Sequence, residues 1–262
     1  MSSASPEPPR LAVAGLAYGY PGRLLQQGLD FAVAPGEVLC VIGGSGCGKS
    51  TLLRVLTGLL PPLRGSVRID GQDYWAADPD AQESLIRRFG MMYQGGALWT
   101  SMTLAENVAM PLRLYTGLDG RSAVTVAAYK LALVGLAGFE GFLPAAISGG
   151  MAKRAAIARA MALDPAILFL DEPSAGLDPV TMHRLDDLIL DLRRTLGMSF
   201  VIVTHELASI FRIADRVVYL DAATHSMTAI GPPKQLLAES DDADLVAFLS
   251  GGEGGRAAGV AL

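Results

Sequence analysis

The run Val38-Leu39-Cys40-Val41-Ile42 is apolar at every position, the pattern of a strand buried on both faces. Ile167 to Leu170 reads the same way, and Ser199 to Val203 reads as a further strand. Leu11 to Ala17, Leu29 to Val33, Ser66 to Ile69 and Phe89 to Tyr93 predict shorter strands, and Val217 to Leu220 with Met227 to Ile230 a closing hairpin. Lys49 to Thr57, Pro179 to Leu196 and Leu207 to Ile213 carry helical patterns, followed by short helices at Gln235 to Ala238 and Leu245 to Leu249. Residues 95–160 read as mostly helical, broken at Pro111, Gly117 to Gly120 and Pro144. Strands alternating with helices predict an α/β core with a parallel sheet. The helical middle is then an insertion between two sheet strands, and with no internal repeat the chain holds one such unit.

Composition narrows the class. Of 262 residues, 51% are hydrophobic and 18% charged, below the ~25% charged of average soluble domains. A mean hydropathy of +0.36 calls for a large core or an apolar docking surface. A net charge of −5 argues against a binder of duplex DNA, which needs a basic face. Two cysteines, Cys40 and Cys47, make neither a disulfide framework nor a zinc site. Met1 to Arg10 is rich in Ser and Pro and has no apolar core, so it reads as a disordered tail and not a signal peptide. Gly251 to Leu262 reads as a flexible Gly/Ala tail. The best candidate for a membrane span, Ala155 to Leu170, is interrupted by Arg159, Asp164 and Pro165, so the chain reads as soluble and cytoplasmic.

Gly43-Gly44-Ser45-Gly46-Cys47-Gly48-Lys49-Ser50 fits G-x-x-x-x-G-K-[ST] and is followed by Thr51. It follows a buried strand and opens a helix, the context a phosphate-binding loop requires. Glycines let backbone N–H groups turn inward onto phosphate oxygens. Lys49 supplies charge to the β- and γ-phosphates of ATP, and Ser50 a hydroxyl for Mg²⁺. Cys47 occupies a free position of the motif as a small filler. The strand Ile167 to Leu170 ends in Asp171-Glu172, two acids at the edge where a parallel sheet binds ligands. Asp171 is expected to hold Mg²⁺ through water beside Ser50, and Glu172 to act as general base on the attacking water. Ile147-Ser148-Gly149-Gly150-Met151 opens another helix, with Ser148 as its N-cap. That exposed N-terminus is a second anion site. One chain has no second phosphate for it, but two chains facing head-to-tail would each offer it to the other's ATP.

Taken in order, the phosphate loop, Gln94, Ser148-Gly149-Gly150, Asp171-Glu172, the loop Ser174-Ala175-Gly176-Leu177-Asp178 and His205 resemble an ATP-binding-cassette (ABC) nucleotide-binding domain over residues 11–250. The resemblance implies an α/β P-loop core with a mixed sheet, an antiparallel β subdomain and a helical signature subdomain at about 95–160. It implies an ATP hydrolase that uses ATP and Mg²⁺. Gln94 would contact Mg²⁺ and the attacking water and link the site to a membrane partner. Ser148 and Gly150 would bind the γ-phosphate in trans, with Gly149 between them, and Asp178 would lie at the dimer seam. His205 would reach the γ-phosphate. Tyr20, before Pro21-Gly22-Arg23, resembles the aromatic that stacks on adenine; Tyr18 is the rival. His183 and His225 lie in no motif.

Two segments resemble a narrower group, the ATPase subunits of MCE-type lipid transporters such as the maintenance-of-lipid-asymmetry and mycobacterial Mce systems. One runs from Tyr93 through Trp99 to Pro111-Leu112; the other is Ser148-Gly149-Gly150-Met151-Ala152-Lys153-Arg154. Met151 stands where most cassettes have Gln. Ile147 replaces the usual Leu, and Gly95 and Trp99 stand where Ser and Phe are frequent. The resemblance implies a second copy of the chain, a transmembrane permease, an MCE-domain protein and a small STAS-type accessory subunit as partners, with no nucleic acid. It implies a peripheral position on the cytoplasmic face of the inner membrane. Ala97, Leu98, Trp99 and Met102 form an apolar cluster that either docks the permease or packs the helical insertion.

Overall fold

Alternation decides the core. In β3 (Val38–Gly43), Val38, Cys40 and Ile42 face one apolar cluster and Leu39 and Val41 face the other. β7 (Ile167–Asp171) and β8 (Ser199–Val203) divide their residues in the same way, with Phe169, Val201 and Val203 on the side of Leu39. Every residue of these three strands is buried. The computed structural model describes residues 7–252. The tails expected at 1–10 and 251–262 fall mostly outside that range, at 1–6 and 253–262. Arg10, assigned to the tail, belongs to the body: its N–H donates to the Val33 carbonyl and its guanidinium pairs with Asp70 at 3.3 Å.

The other strands are β1 (Leu11–Tyr20), β2 (Arg23–Val33), β4 (Arg64–Ile69), β5 (Gln72–Asp73), β6 (Phe89–Met92), β9 (Arg216–Asp221) and β10 (Ser226–Gly231). They form one sheet in the order β5-β4-β1-β2-β10-β9-β3-β8-β7-β6. β6, β7, β8, β3 and β9 are mutually parallel. β9 and β10 make the expected antiparallel hairpin, and β1, β2, β4 and β5 an antiparallel wing. The sheet is therefore mixed. The wing packs with α1 (Lys49–Leu56) on one face of the parallel block, while the helices between Leu104 and Ile213 cover the other.

α2 (Pro79–Ile86) and β5 went unread in the sequence. Within the helical middle, α3 (Leu104–Tyr115), α4 (Gly120–Leu133) and α5 (Gly149–Ala160) are separated at Gly117 and at a 3₁₀ turn over Pro144–Ala146. Two expectations there fail. Residues 95–103 are turns and irregular chain and not helix: Gly95, Gly96 and Ala97 all have positive φ, and the helix starts only where Thr103 and Glu106 form a capping box. Pro111 sits inside α3 without ending it. It removes one backbone bond, but Val108, Ala109 and Leu112 are buried around it and hold the helix against the core. α6 (Pro179–Leu196), α7 (Leu207–Ile213), α8 (Pro233–Glu239) and α9 (Ala243–Leu249) complete the chain. Among the described residues, no helix is long and apolar enough to cross a membrane.

β6 and α5 approach so closely that glycine is required between them. A Cβ on Gly90 would stand 2.0 Å from the Ala160 carbonyl oxygen, whereas one on Gly117 would meet nothing. Gly90→Ala should therefore cost about 1–3 kcal/mol of stability and Gly117→Ala no more than about 0.5 kcal/mol. Urea denaturation of the two variants checks this.

Candidate active site

Parallel strands buried on both faces put their polar chemistry at their ends. β3 runs into the phosphate loop, β7 ends at Asp171, β8 leads to His205 and β6 to Gln94. Because β3, β8, β7 and β6 are adjacent in the sheet, four distant sequence segments share one carboxyl edge, where open α/β sheets bind ligands.

In the loop, Lys49 Nζ donates to the carbonyls of Gly43 (2.8 Å) and Gly44 (2.9 Å). α1 begins at Lys49, with Gly48 at φ 100° as its N-cap residue, a conformation that favours glycine. Gly46, Gly48, Lys49, Ser50 and Thr51 line one depression together with Tyr20 and Arg23. Tyr20 is 40% exposed, while Tyr18 is fully buried and has no free ring face to offer a base. Arg23 was not singled out in the sequence; its only signal there is its place in the turn after Tyr20. Ser45 is exposed at the tip of the loop and Cys47 is buried beneath it.

Ser50 Oγ donates to Asp171 Oδ1 at 3.0 Å, so the hydroxyl and carboxylate expected to share a cation are adjacent. Burial pushes the Asp171 carboxyl above its ordinary range, opposed by the bond from Ser50. Two oxygen donors suit a hard divalent cation that takes its remaining ligands from phosphates and water. Among the described residues no group of three or more His, Cys, Asp or Glu side chains is placed to hold a metal. The donor set thus fits a Mg²⁺ that arrives with a nucleotide.

Glu172 has a left-handed backbone (φ 48°), which is strained for a non-glycine residue. Its surroundings hold it there. Its N–H donates to the Val203 carbonyl at 2.9 Å, and its carbonyl accepts from Lys153 Nζ at 3.3 Å. Its carboxylate Oε1 meets His205 Nδ1 at 2.8 Å, while Oε2 is buried without a partner. The direct Glu172–His205 contact and the approach of Lys153 were not read from the sequence. Burial lowers the Lys153 ammonium pKa, opposed by the nearby Glu172 and Asp171 carboxylates. Gln94 is exposed at the end of β6 and joins neither the Ser50–Asp171 nor the Glu172–His205 pair by a hydrogen bond.

Ser148 is exposed and caps α5, its Oγ accepting from the Met151 N–H at 3.3 Å. Gly149 is exposed, but Gly150 is buried, and a Cβ there would stand 2.4 Å from Thr181 Cγ2. The first turns of α5 and α6 meet at that point. Asp178 caps α6, accepting from the Val180 and Thr181 N–H groups at 3.0 Å each, and these bonds, led by that from the Thr181 hydroxyl, hold its carboxyl below the ordinary range. The loop after Gln94 is clamped from two helices. Arg159 donates to the Gly96 and Ala97 carbonyls at 2.8 and 2.7 Å. Buried Asn107 binds Trp99 N–H and the Trp99, Met102 and Thr103 carbonyls. Of the apolar cluster, Trp99 is 55% exposed, whereas Leu98 packs partly on the core.

The ABC transporter family model matches residues 26–175. The chain is 36% identical over 241 residues to the intermembrane phospholipid transport system ATP-binding protein MlaF of Haemophilus influenzae, spanning 92% of this chain and 90% of that protein. It is 43% identical over 208 residues to the methionine import ATP-binding protein MetN of Caulobacter vibrioides, spanning 78% of this chain and 61% of MetN. The fold superposes on the dimeric ATP-binding cassette MJ0796 bound to ADP and Pi with a TM-score of 0.75 at 27% identity, covering 85% of this chain and 98% of that one. A phosphate loop, an acid pair and a capped Ser-Gly-Gly helix on this fold, with a family model matching residues 26–175 and a relative matched over 90% of its length, place the chain in the ABC transporter family as an ATP-binding and ATP-hydrolysing cassette.

Proposed function

We propose that the chain powers lipid transport in the cell envelope. In this reading two copies close head-to-tail on ATP beneath a transmembrane permease, in company with an MCE-domain protein and a STAS-type accessory subunit. The chain would act from the cytoplasmic face of the inner membrane. The observation that carries the reading is the match to the phospholipid transport protein over 92% of this chain, joined by the Met151-Ala152-Lys153-Arg154 stretch. A second reading, a transporter of another solute, draws on the 43% identity to a methionine importer over a shorter span. Residues 11–250 are taken as one cassette, with 95–160 as its helical part.

The chemistry follows from the edge of the sheet. Lys49 exchanges the Gly43 and Gly44 carbonyls for β- and γ-phosphate oxygens, and the N-terminus of α1 adds its positive end. Tyr20 stacks on the base, and Thr51 lines the pocket beside Ser50. Ser50 and Asp171, with Gln94, would hold Mg²⁺, which would supply neutralisation of charge on the phosphates. Glu172 takes the proton of the attacking water. His205, on Oε1, fixes the carboxylate so that Oε2 faces the water, and then senses the γ-phosphate. Ser148, Gly149 and Gly150 of one copy close over the γ-phosphate bound by the other, and Asp178 stiffens the seam by capping α6. MJ0796, which has the same fold, is a dimer, and this supports the arrangement.

Three outcomes are expected. Glu172→Gln keeps shape but removes the base, so turnover should fall about 10²–10⁴-fold while ATP binding persists; retention of a tenth of wild-type turnover would exclude Glu172 as the base. Ser148→Arg places bulk and charge at the seam, so sedimentation should show ATP binding without ATP-driven dimerisation. Mixing it with Lys49→Ala chains should restore some hydrolysis through the one intact composite site. The lipid reading is tested in cells. The tagged chain should bring down a polytopic permease and an MCE-domain protein, and its deletion should disturb envelope lipid distribution. Recovery with an amino-acid permease and no lipid change would sink that reading and leave the ATPase standing.

A further inference from the structure

A phosphate loop that turns its N–H groups inward turns carbonyls outward, and each buried carbonyl needs a donor. Those of Gly43 and Gly44 meet Lys49. Those of Cys47 and Gly48 meet two side chains of the antiparallel wing. Gln26 Nε2 donates to the Cys47 carbonyl at 2.9 Å and also to the Asp221 carbonyl at 3.0 Å. Tyr18 Oη donates to the Gly48 carbonyl at 3.2 Å, on the lone pair left beside the helical bond which that carbonyl accepts from the Leu52 N–H at 2.8 Å. Both residues are fully buried. The Tyr18 ring also lies under Gly48, where an added Cβ would stand 3.3 Å from Tyr18 Cε2 and 3.3 Å from Leu25 Cβ. Burial pushes the Tyr18 phenol far above its ordinary range, so it remains a donor. Gln26 Oε1 is buried without a partner, an orphan that an apolar residue would avoid.

We infer that Tyr18 and Gln26 are positioning residues for the nucleotide's phosphates: from the antiparallel wing they hold the outward carbonyls of Cys47 and Gly48 and so fix the inward donors of the phosphate loop. Tyr20 lies on the same strand as Tyr18, and Arg23 on the same strand as Gln26. The wing therefore sets the base platform and the phosphate cradle as one unit. Gln26 extends the tie to the hairpin through Asp221 at the end of β9. The inference rests on residues 43–50 being the phosphate loop and on ATP as ligand; it adds two residues that act through the loop's carbonyls.

The test separates phosphate from base. Binding of ATP, inorganic tripolyphosphate and adenosine is measured with Mg²⁺ on the full chain carrying Tyr18→Phe or Gln26→Leu, well below each variant's melting temperature. Each change removes neutral hydrogen bonds to the loop. ATP and tripolyphosphate should bind about threefold to tenfold more weakly. Adenosine affinity should hold, and KM for ATP should rise with kcat kept within about twofold, as for lost uniform binding. Wild-type affinity for tripolyphosphate in both variants overturns the inference. So does equal weakening of adenosine and tripolyphosphate, which a general loosening of the fold would give. Failure of both variants to melt cooperatively would assign the pair to folding alone and also overturn it. Lys49→Ala is the control for the underlying reading: if it too leaves tripolyphosphate affinity unchanged, residues 43–50 are not the phosphate site at all.

Discussion

β3, β7 and β8 have no solvent-facing side, because α3 to α7 cover one face of the parallel block and α1 with the antiparallel wing covers the other. Side chains along such strands are held to apolar choices, as the buried runs Val38–Ile42 and Ile167–Leu170 attest. Chemistry is confined to the places where the strands leave the sheet. The adjacency of β3 and β7 through β8 then brings Ser50 within 3.0 Å of Asp171 across 121 residues of sequence. The register carries the rest: Asp171 pairs with Val203 of β8, and His205 follows two residues later.

Around that edge, the backbone itself is under constraint. Glu172 is left-handed, and a carboxylate in that conformation is held by contacts on both sides, Val203 below and Lys153 above. Lys153 lies on α5, the helix that Ser148 caps. The helix that Ser148 caps therefore also touches the Glu172 carbonyl, through one partly buried contact.

The antiparallel wing has a different task. Its strands bury Leu11, Leu16, Leu29 and Phe31 against α1, so the helix that follows the phosphate loop is packed from the side where Tyr20 is exposed. Gly150 has a comparable double place. Its position in a Ser-Gly-Gly stretch marks it for phosphate, yet the 2.4 Å that a Cβ would leave to Thr181 makes glycine necessary for packing α5 on α6 alone. Asp178 is likewise the cap of α6 in a single chain, before any dimer is considered.

Much of this was legible in the sequence. The bounds of α6, β8 and α7 follow from apolar spacing and from Asp178-Pro179 and Gly197 as start and stop signals. The phosphate loop, the acid pair and the capped helix are also local, since a few consecutive residues fix each. Where local cues compete with packing, the sequence misleads. Pro111 reads as a break, but buried neighbours on α3 outweigh its missing N–H. Residues 95–103 read as helix, but three successive positive φ values turn the chain. Only the tertiary structure could bring His205 onto Glu172 or set Gln26 beside Cys47 and Asp221. Such contacts join segments as many as 195 residues apart in the chain. Periodicity tells which face of a strand is buried, but not which strand lies beside it.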